Sequence, residues 1–400
     1  MTDGFEPLRV GVLGLGRAFT LMLPTLAADP RIQLVACCDP YENATALFRA
    51  QFGAQVHESA QALCADPNVE WVYIATPHPL HEAHAALAAA HGKHVLVEKP
   101  MALSLLECDR MIHAAQQAGT HLVVGHSHSF DSPVGLARAL IQSGRYGPVR
   151  SLLAFNFTDF LYRPRRPEEL ETAKGGGVVF SQAAHQIDVV RLLAGGLVTS
   201  VYARTGAWDS ARPTEGAYSA ILNFESGAFA QVHYNGYGFF DSDVWMDQVG
   251  ELGHVKKSLT HQATRQKRIG ATDEMREVAQ KAERNYGGPA YTQTPLQDAA
   301  GFQHFGPVLV SCSQADLRLT PQGVEVHDVQ GVQLMPCAAM EVPRQEVVDE
   351  LWSVARQGAA PLHNGAWSKA TMEVCLGILA SAQQGQLITM QHQIAPDSSV

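Results

Sequence analysis

The sequence predicts an α/β fold in two parts: an N-terminal doubly wound parallel sheet, then a C-terminal α/β domain on a large, mostly antiparallel, open-faced sheet. Three observations carry this. Short apolar runs alternate with helical patterns from Leu8 to Gly125, a glycine turn follows the first run, and beyond about residue 149 strands are separated by hairpin signals. At 400 residues, with 46% apolar and 17% charged positions, the chain is long enough for two cores. Its net charge of −10 argues against nucleic acid or an anionic membrane as partner. Seven cysteines without Cys-x-x-Cys spacing suggest neither a disulfide frame nor a zinc site. With no membrane-length apolar run and no signal pattern at the start, the expectation is a cytoplasmic protein without a resident metal.

The first strand is Leu8 to Leu13, and Gly14-Leu15-Gly16-Arg17 leads into a helix over 18–28 that Pro24 is expected to interrupt. Gly14 permits a tight turn, Gly16 lets the backbone approach a pyrophosphate, and the helix start offers free N–H groups. Phe19 stands where a third glycine would complete the fingerprint. A second strand, Ile32 to Cys38, ends in Asp39, placed to accept bonds from a ribose 2′-OH and so to favour NAD; the competing reading is a turn residue before Pro40. The alternation continues with helix 43–52, a strand near Val56, helix 60–65, strand 71–75, helix 80–91, strand 95–98, helix 104–118 and strand 121–125. This is a Rossmann-type domain over 1–128. His81 and His84, one turn apart, lack a third ligand in view and are read as helix-surface residues.

The fifth of these strands delivers Glu98 and then Lys99 to the sheet edge where such folds bind ligands. An ammonium there must be paired or lose its proton, which makes Lys99 the first catalytic candidate; the plain alternative is a surface lysine past a strand.

The second domain is assigned to 129–390, with a tail over 391–400 expected to fray. A helix over 133–143 precedes strands at 149–157, 198–205, 218–224, 228–234 and 244–250, with hairpins at 225–227 and 251–253. The polar, Gly- and Gln-rich stretch 264–305 reads as an insertion or mobile flap. Strands resume over 308–326 around a hairpin at 321–323, and helices 344–356 and 368–383 close the chain. An uncovered apolar sheet face predicts a subunit contact.

Two segments suggest chemistry. Asp159 to Pro167 carries Arg163, Arg165 and Arg166 among prolines and after Tyr162, a composition suited to gripping carboxylates; a solvated loop or intersubunit ion-pair patch is the alternative. After Gly175-Gly176-Gly177, a helix over 178–193 puts Ser181 and His185 on one face, where His185 is either functional or a buried, hydrogen-bonded core residue.

Together the glycine turn, Ala75-Thr76-Pro77 with His81, Gly92 to Pro100 with its Glu98-Lys99-Pro100, the triple glycine with His185 and Asp188, and the Gly250–Gly253 hairpin resemble the Gfo/Idh/MocA family of nicotinamide-dependent oxidoreductases. The resemblance spans nearly the whole chain. It implies a dinucleotide-binding domain joined to a sheet domain that builds homodimers or homotetramers, with NAD as cofactor and Lys99 and His185 as catalytic residues. Cofactor contacts are implied for Gly14, Gly16, Arg17, Ala18, Asp39, Ala75, Thr76, Pro77, His81, Glu98 and Lys99. Substrate contacts are implied for Tyr162, Arg163, Arg165, Arg166, Ser181, His126 and His128. Ser181 stands where the family usually has an acid, and His126-Ser127-His128 replaces the usual Arg or Asn. Losing that acid removes a repulsion toward an anion.

Ser127 to Asp131, Asp159 to Pro167 and Gly177 to Gln186 look like the dehydrogenases of phthalate cis-4,5-dihydrodiol in aromatic catabolism. That implies NAD-linked oxidation of cis-4,5-dihydroxy-4,5-dihydrophthalate to 4,5-dihydroxyphthalate. A polyol or sugar-acid dehydrogenase, reductive dehalogenation or ether chemistry on an aromatic acid, and a non-catalytic NAD(P)-binding sensor are the alternatives.

Overall fold

A computed structural model describes residues 6–125, 127–256, 261–266, 274–292, 300–339 and 342–396. The N-terminal unit runs β1 (Leu8–Leu13), α1 (Arg17–Ala28), β2 (Ile32–Cys38), α2 (Glu42–Phe52), β3 (Gln55–Val56), α3 (Ala60–Ala65), β4 (Trp71–Ile74), α4 (His81–Ala90), β5 (His94–Val97), α5 (Leu105–Ala118) and β6 (Leu122–Val124). Its six strands are all parallel in the order β3-β2-β1-β4-β5-β6, so successive strands are added outward on opposite sides of β1 and the order switches between β1 and β4. Ligands bind such sheets at that switch, beyond the strand C-termini. The glycine turn after β1 and Lys99 after β5 therefore face the same crevice.

Pro24 does not interrupt α1, which continues through it to Ala28. Phe19, at the missing third glycine, is fully buried against Phe48 and Tyr286, so its bulk is absorbed by the core.

The second unit adds α6 (Ser132–Gln142), β7 (Val149–Phe157), α7 (Ala184–Ala194), β8 (Val198–Gly206), β9 (Ala217–Phe224), β10 (Phe229–Asn235), α8 (Gln262–Gln266), α9 (Glu274–Glu283), β11 (Val308–Cys312), β12 (Asp316–Thr320), β13 (Gly323–Asp328), β14 (Gly331–Pro336), α10 (Gln345–Gln357), α11 (Gly365–Gln384) and β15 (Ile388–Thr389). Nine strands pair in the order β14-β13-β12-β11-β7-β10-β9-β8-β15, antiparallel except for β7 against β10. One face is covered by α6, α7 and α11, whose apolar residues share a core with the first unit. The other face presents Leu309, Leu153, Ile221 and Tyr202, which lie in register across four strands with Gln231 between them.

Several expectations change. Val244–Gly250 is not a strand: Ser242–Met246 forms a 3-10 turn, and only Val249 bridges to Val255. Lys256 draws Asp241 and Asp243 together there, so local side-chain bonding replaces the ladder. β14 is an edge strand that the sequence reading left out; its residues are mostly exposed, so it shows no burial alternation. Where a single helix over 178–193 was expected, a π turn at Val179–Ala183 precedes α7. The tail does not fray over 391–396. Glu373 accepts bonds from the backbone N–H groups of Gln391 and His392, and Arg191 donates to Gln393 and to the Ile394 carbonyl.

A later helix also packs on the first unit. α10 returns to pack Val347, Val348, Leu351 and Val354 into the core of β1, β4, α1 and α2. Within the described parts of the 264–305 segment, Tyr286 is fully buried beside Phe19 and Phe48, and Glu277 pairs with Arg212 at 2.7 Å, while α9 has no buried residue.

Candidate active site

The crevice begins at the glycine turn. Gly14 adopts φ +91°, and a Cβ there would lie 2.8 Å from the Ala75 carbonyl oxygen, so only glycine lets the turns after β1 and β4 touch. Gly16 caps α1 without any side-chain bond to the first-turn N–H groups, and a Cβ on Gly16 would meet nothing within 4 Å. Open N–H groups at a positive helix end, beside an open concavity, fit a dinucleotide pyrophosphate. Arg17 and Ala18 flank this opening, Arg17 exposed and Ala18 half-buried. Asp39 accepts from Leu15 N at 2.6 Å and Tyr41 N at 2.7 Å, which ties β2 to the turn while leaving further lone pairs of its carboxylate usable.

Beyond β4, Ala75 is buried and Thr76 bonds His84 Nδ1 at 3.1 Å, ahead of Pro77. His81 is not on the helix surface as the sequence suggested. It is fully buried, with Nε2 2.9 Å from the Thr76 carbonyl and Nδ1 3.0 Å from the Pro100 carbonyl. It braces the β4 turn against the segment carrying Lys99.

At the end of β5, Glu98 is buried and accepts from Tyr73 Oη at 2.6 Å. Lys99 Nζ donates to the Ser181 carbonyl at 2.9 Å, reaching across to the π turn before α7. The backbone, not the Ser181 hydroxyl, makes this bond. Burial pulls the Lys99 pKa down from its ordinary value; Glu98 and Glu251 oppose the shift, and Arg344 and Arg165 add to it.

One helical turn beyond Ser181, His185 is buried, with its ring 4.9 Å from those of both His128 and Phe305. His128 Nδ1 is 2.7 Å from Asp131 Oδ2, which fixes that ring; His126 lies outside the described residues. Phe305 stacks at 5.8 Å on Tyr234, whose hydroxyl is 2.7 Å from Thr158 Oγ1. The result is an aromatic cluster one helical turn beyond the residue whose carbonyl holds Lys99. Asp188 serves elsewhere: it accepts from Trp367 Nε1 at 2.6 Å and Thr371 Oγ1 at 2.8 Å, deep in the core.

The arginine loop is already matched with acids. Arg163 pairs with Asp159 at 2.7 Å, Arg165 with Glu169 at 3.6 Å and Arg166 with Glu168 at 2.9 Å. Arg165 also lies 3.5 Å over the Phe160 ring, and burial lowers its pKa to about 10. Tyr162 stacks under Arg265, 4.1 Å from its ring centroid.

Two charged groups escaped the sequence reading. Arg344, at the N-cap of α10, bonds Glu251 Oε1 at 2.9 Å. Desolvation would raise the Glu251 pKa, but Arg344, His128, Arg163 and Arg17 overcome it and hold the carboxyl at about 2. Nothing near position 344 in the sequence signals this; the hairpin at 250–253 was the nearest hint.

The family profile described as "Oxidoreductase family, NAD-binding Rossmann fold" matches residues 8–126, and that of the "GFO/IDH/MocA C-terminal domain" matches residues 134–256. The chain is 46% identical over 385 residues to the 1-carboxy-3-chloro-3,4-dihydroxycyclo hexa-1,5-diene dehydrogenase of Comamonas testosteroni, covering 96% of this chain and 97% of that one. It is 25% identical over 261 residues to the myo-inositol 2-dehydrogenase of Thermotoga maritima, covering 62% and 74%. A solved protein of Bordetella bronchiseptica RB50, assigned as a dehydrogenase, superposes with a TM-score of 0.89 at 39% identity, covering 96% of this chain and all of that one.

Proposed function

The chain belongs to the Gfo/Idh/MocA oxidoreductase family and is an NAD-dependent dehydrogenase, and from that premise we propose that it oxidises a carboxylated cis-dihydrodiol to a catechol. Its specific reaction in this proposal converts cis-4,5-dihydroxy-4,5-dihydrophthalate to 4,5-dihydroxyphthalate, as a step of phthalate degradation. The observation that carries the reading is the charge around Lys99. The family's usual acid is Ser181 here, and beside the carboxylates of Glu98 and Glu251 the guanidinium groups of Arg344 and Arg165 also act on the amine. The Comamonas relative, named for a carboxylated dihydroxycyclohexadiene, supports the same substrate class.

The turn at Gly14 and Gly16 with the N-terminus of α1 would hold NAD+, which would supply the hydride acceptor for a carbinol carbon. Lys99, in its neutral form, takes the hydroxyl proton on Nζ, and its bond to the Ser181 carbonyl aims the amine. His185 orients or relays that proton, and His128, held by Asp131, lies beside it. The ketone left behind enolises, and aromatisation drives the reaction forward. Tyr162, Arg163, Arg165 and Arg166 form the substrate side of the site in this reading. Asp39 favours NAD over NADP, because a 2′-phosphate would meet its carboxylate. A second copy of the chain covers the open sheet face, where Leu309, Leu153, Ile221 and Tyr202 are otherwise in water.

The inositol dehydrogenase match supports a second reading, a polyol or sugar-acid dehydrogenase. The deciding experiment follows NADH formation by the purified protein on the phthalate dihydrodiol, with NADP+ in parallel and inositol as competing substrate. Fast NAD-linked turnover confined to the dihydrodiol is the expected result. Activity on inositol alone would discard the anionic-substrate reading and leave Lys99 standing.

A further inference from the structure

Two of the three loop arginines, Arg163 and Arg165, hold acids that would be costly to release, whereas Arg166 and its partner Glu168 are both more than a third exposed. Asp159 and Glu169, the partners of Arg163 and Arg165, have side chains only 10% and 21% exposed, and Glu169 is also bound by Lys281. Displacing either would strand a largely buried carboxylate. Arg344 differs. Its side chain is 8% exposed, whereas that of its partner Glu251 is 47% exposed, on the turn between Val249 and Val255. Released, Glu251 would leave a half-exposed position for water, giving up the attraction of Arg344, His128, Arg163 and Arg17 without stranding a buried carboxylate.

Three further features bear on Arg344. Its backbone is held at φ 63°, an unusual conformation for a non-glycine residue. Its Nε is buried with no acceptor among the described residues, so one guanidinium donor stays open. Finally, the pair spans the crevice: Glu251 belongs to the C-terminal family domain, whereas Arg344 leads into α10 on the Rossmann core.

We propose that Arg344 is the residue that binds the substrate's carboxylate, and that Glu251 is a built-in stand-in which the substrate displaces. The ligand is an aromatic or cyclohexadiene carboxylate, an inference that rests on the anionic-substrate reading above. Glu251 swings out as the substrate carboxylate takes its bond to Nη2 and adds one to Nε, the bidentate geometry that guanidinium favours. The loop arginines then shape the entrance while keeping their own acids.

The test titrates NAD+-loaded protein with phthalate, a dicarboxylate with no carbinol to oxidise, in wild type, Arg344→Met and Glu251→Gln. NADH affinity is measured on the same preparations by fluorescence. Arg344→Met is expected to weaken phthalate at least about tenfold and Glu251→Gln to tighten it about threefold, with NADH affinity within about threefold throughout. Glu251→Gln changes only a half-exposed turn, so it stands even if Arg344→Met folds poorly. Three results would overturn the assignment: no phthalate binding by wild type, unchanged phthalate affinity in both variants, or a loss of NADH affinity in place of phthalate affinity. The last would give Arg344 to a cofactor phosphate. Because the titration needs no turnover, wild type that binds phthalate through Arg344 yet fails to oxidise the dihydrodiol would sink the proposed reaction alone.

Discussion

At the scale of single residues, the proposed reaction depends on keeping one amine neutral. Burial lowers the Lys99 pKa and the nearby arginines add to the effect, so the basic form is reached at lower pH than in a free lysine. Lys99→Met is expected to cut kcat by about a thousandfold, within the range for a lost general base, and to leave NADH binding within a few-fold. Surviving turnover with lost cofactor affinity would reverse that role. The pH profile gives a second handle. Activity rises with pH as Lys99 deprotonates, and its inflection lies below the ordinary lysine value of 10.5. Removing Arg344 deletes a like charge and frees Glu251 to favour the ammonium, so Arg344→Met shifts the inflection upward. An inflection that stays put or falls would show that Arg344 does not act on Lys99.

Among the elements, α10 and the segment around Tyr286 matter because both return from the second unit to pack on the first. Tyr286 fills a pocket between α1 and α2, edge-on to Phe19 at 5.2 Å, with its hydroxyl 2.8 Å from Gln51 Oε1. Its backbone N–H donates to Thr20 Oγ1 at 2.9 Å. Removing such a ring leaves a cavity, a loss of about 3–5 kcal/mol. Tyr286→Ala therefore lowers the unfolding temperature by several degrees, whereas Tyr286→Phe, which keeps the ring, loses far less. Equal losses in calorimetry would place the stabilisation in the hydroxyl instead of the buried ring.

For the whole molecule, helices cover one face of the nine-stranded sheet, and the other carries an exposed apolar row around Gln231. Leu153 lies opposite Leu309 on the adjoining strand, in the middle of the uncovered row. With a second copy seated there, Leu153→Glu buries a charge in an apolar contact and splits the assembly, while the monomer, whose core this side chain never enters, keeps its melting temperature. Light scattering after size exclusion checks this, and a wild-type protein that elutes as a monomer removes the premise.

Much of this architecture was legible from one sequence because its signals are local. Apolar alternation, the two glycines after β1 and a lysine directly after β5 each act within a few residues, and local sterics and backbone hydrogen bonding reproduce them as β1 to β6 and the crevice. The short strand expected over 244–250 failed for the same kind of reason, since a local acidic cluster on Lys256 competed with the ladder. What tertiary structure alone decided is who pairs with whom. His81 turned inward because two backbone carbonyls from separate turns surround it. The tail is held because Arg191 and Glu373 wait for it on α7 and α11. Arg344 meets Glu251 although 93 positions separate them. Composition could announce that this chain has arginines suited to a carboxylate. Which of them is held by a counter-ion that can leave depends on how deeply each partner is buried, and burial is a property of the folded chain.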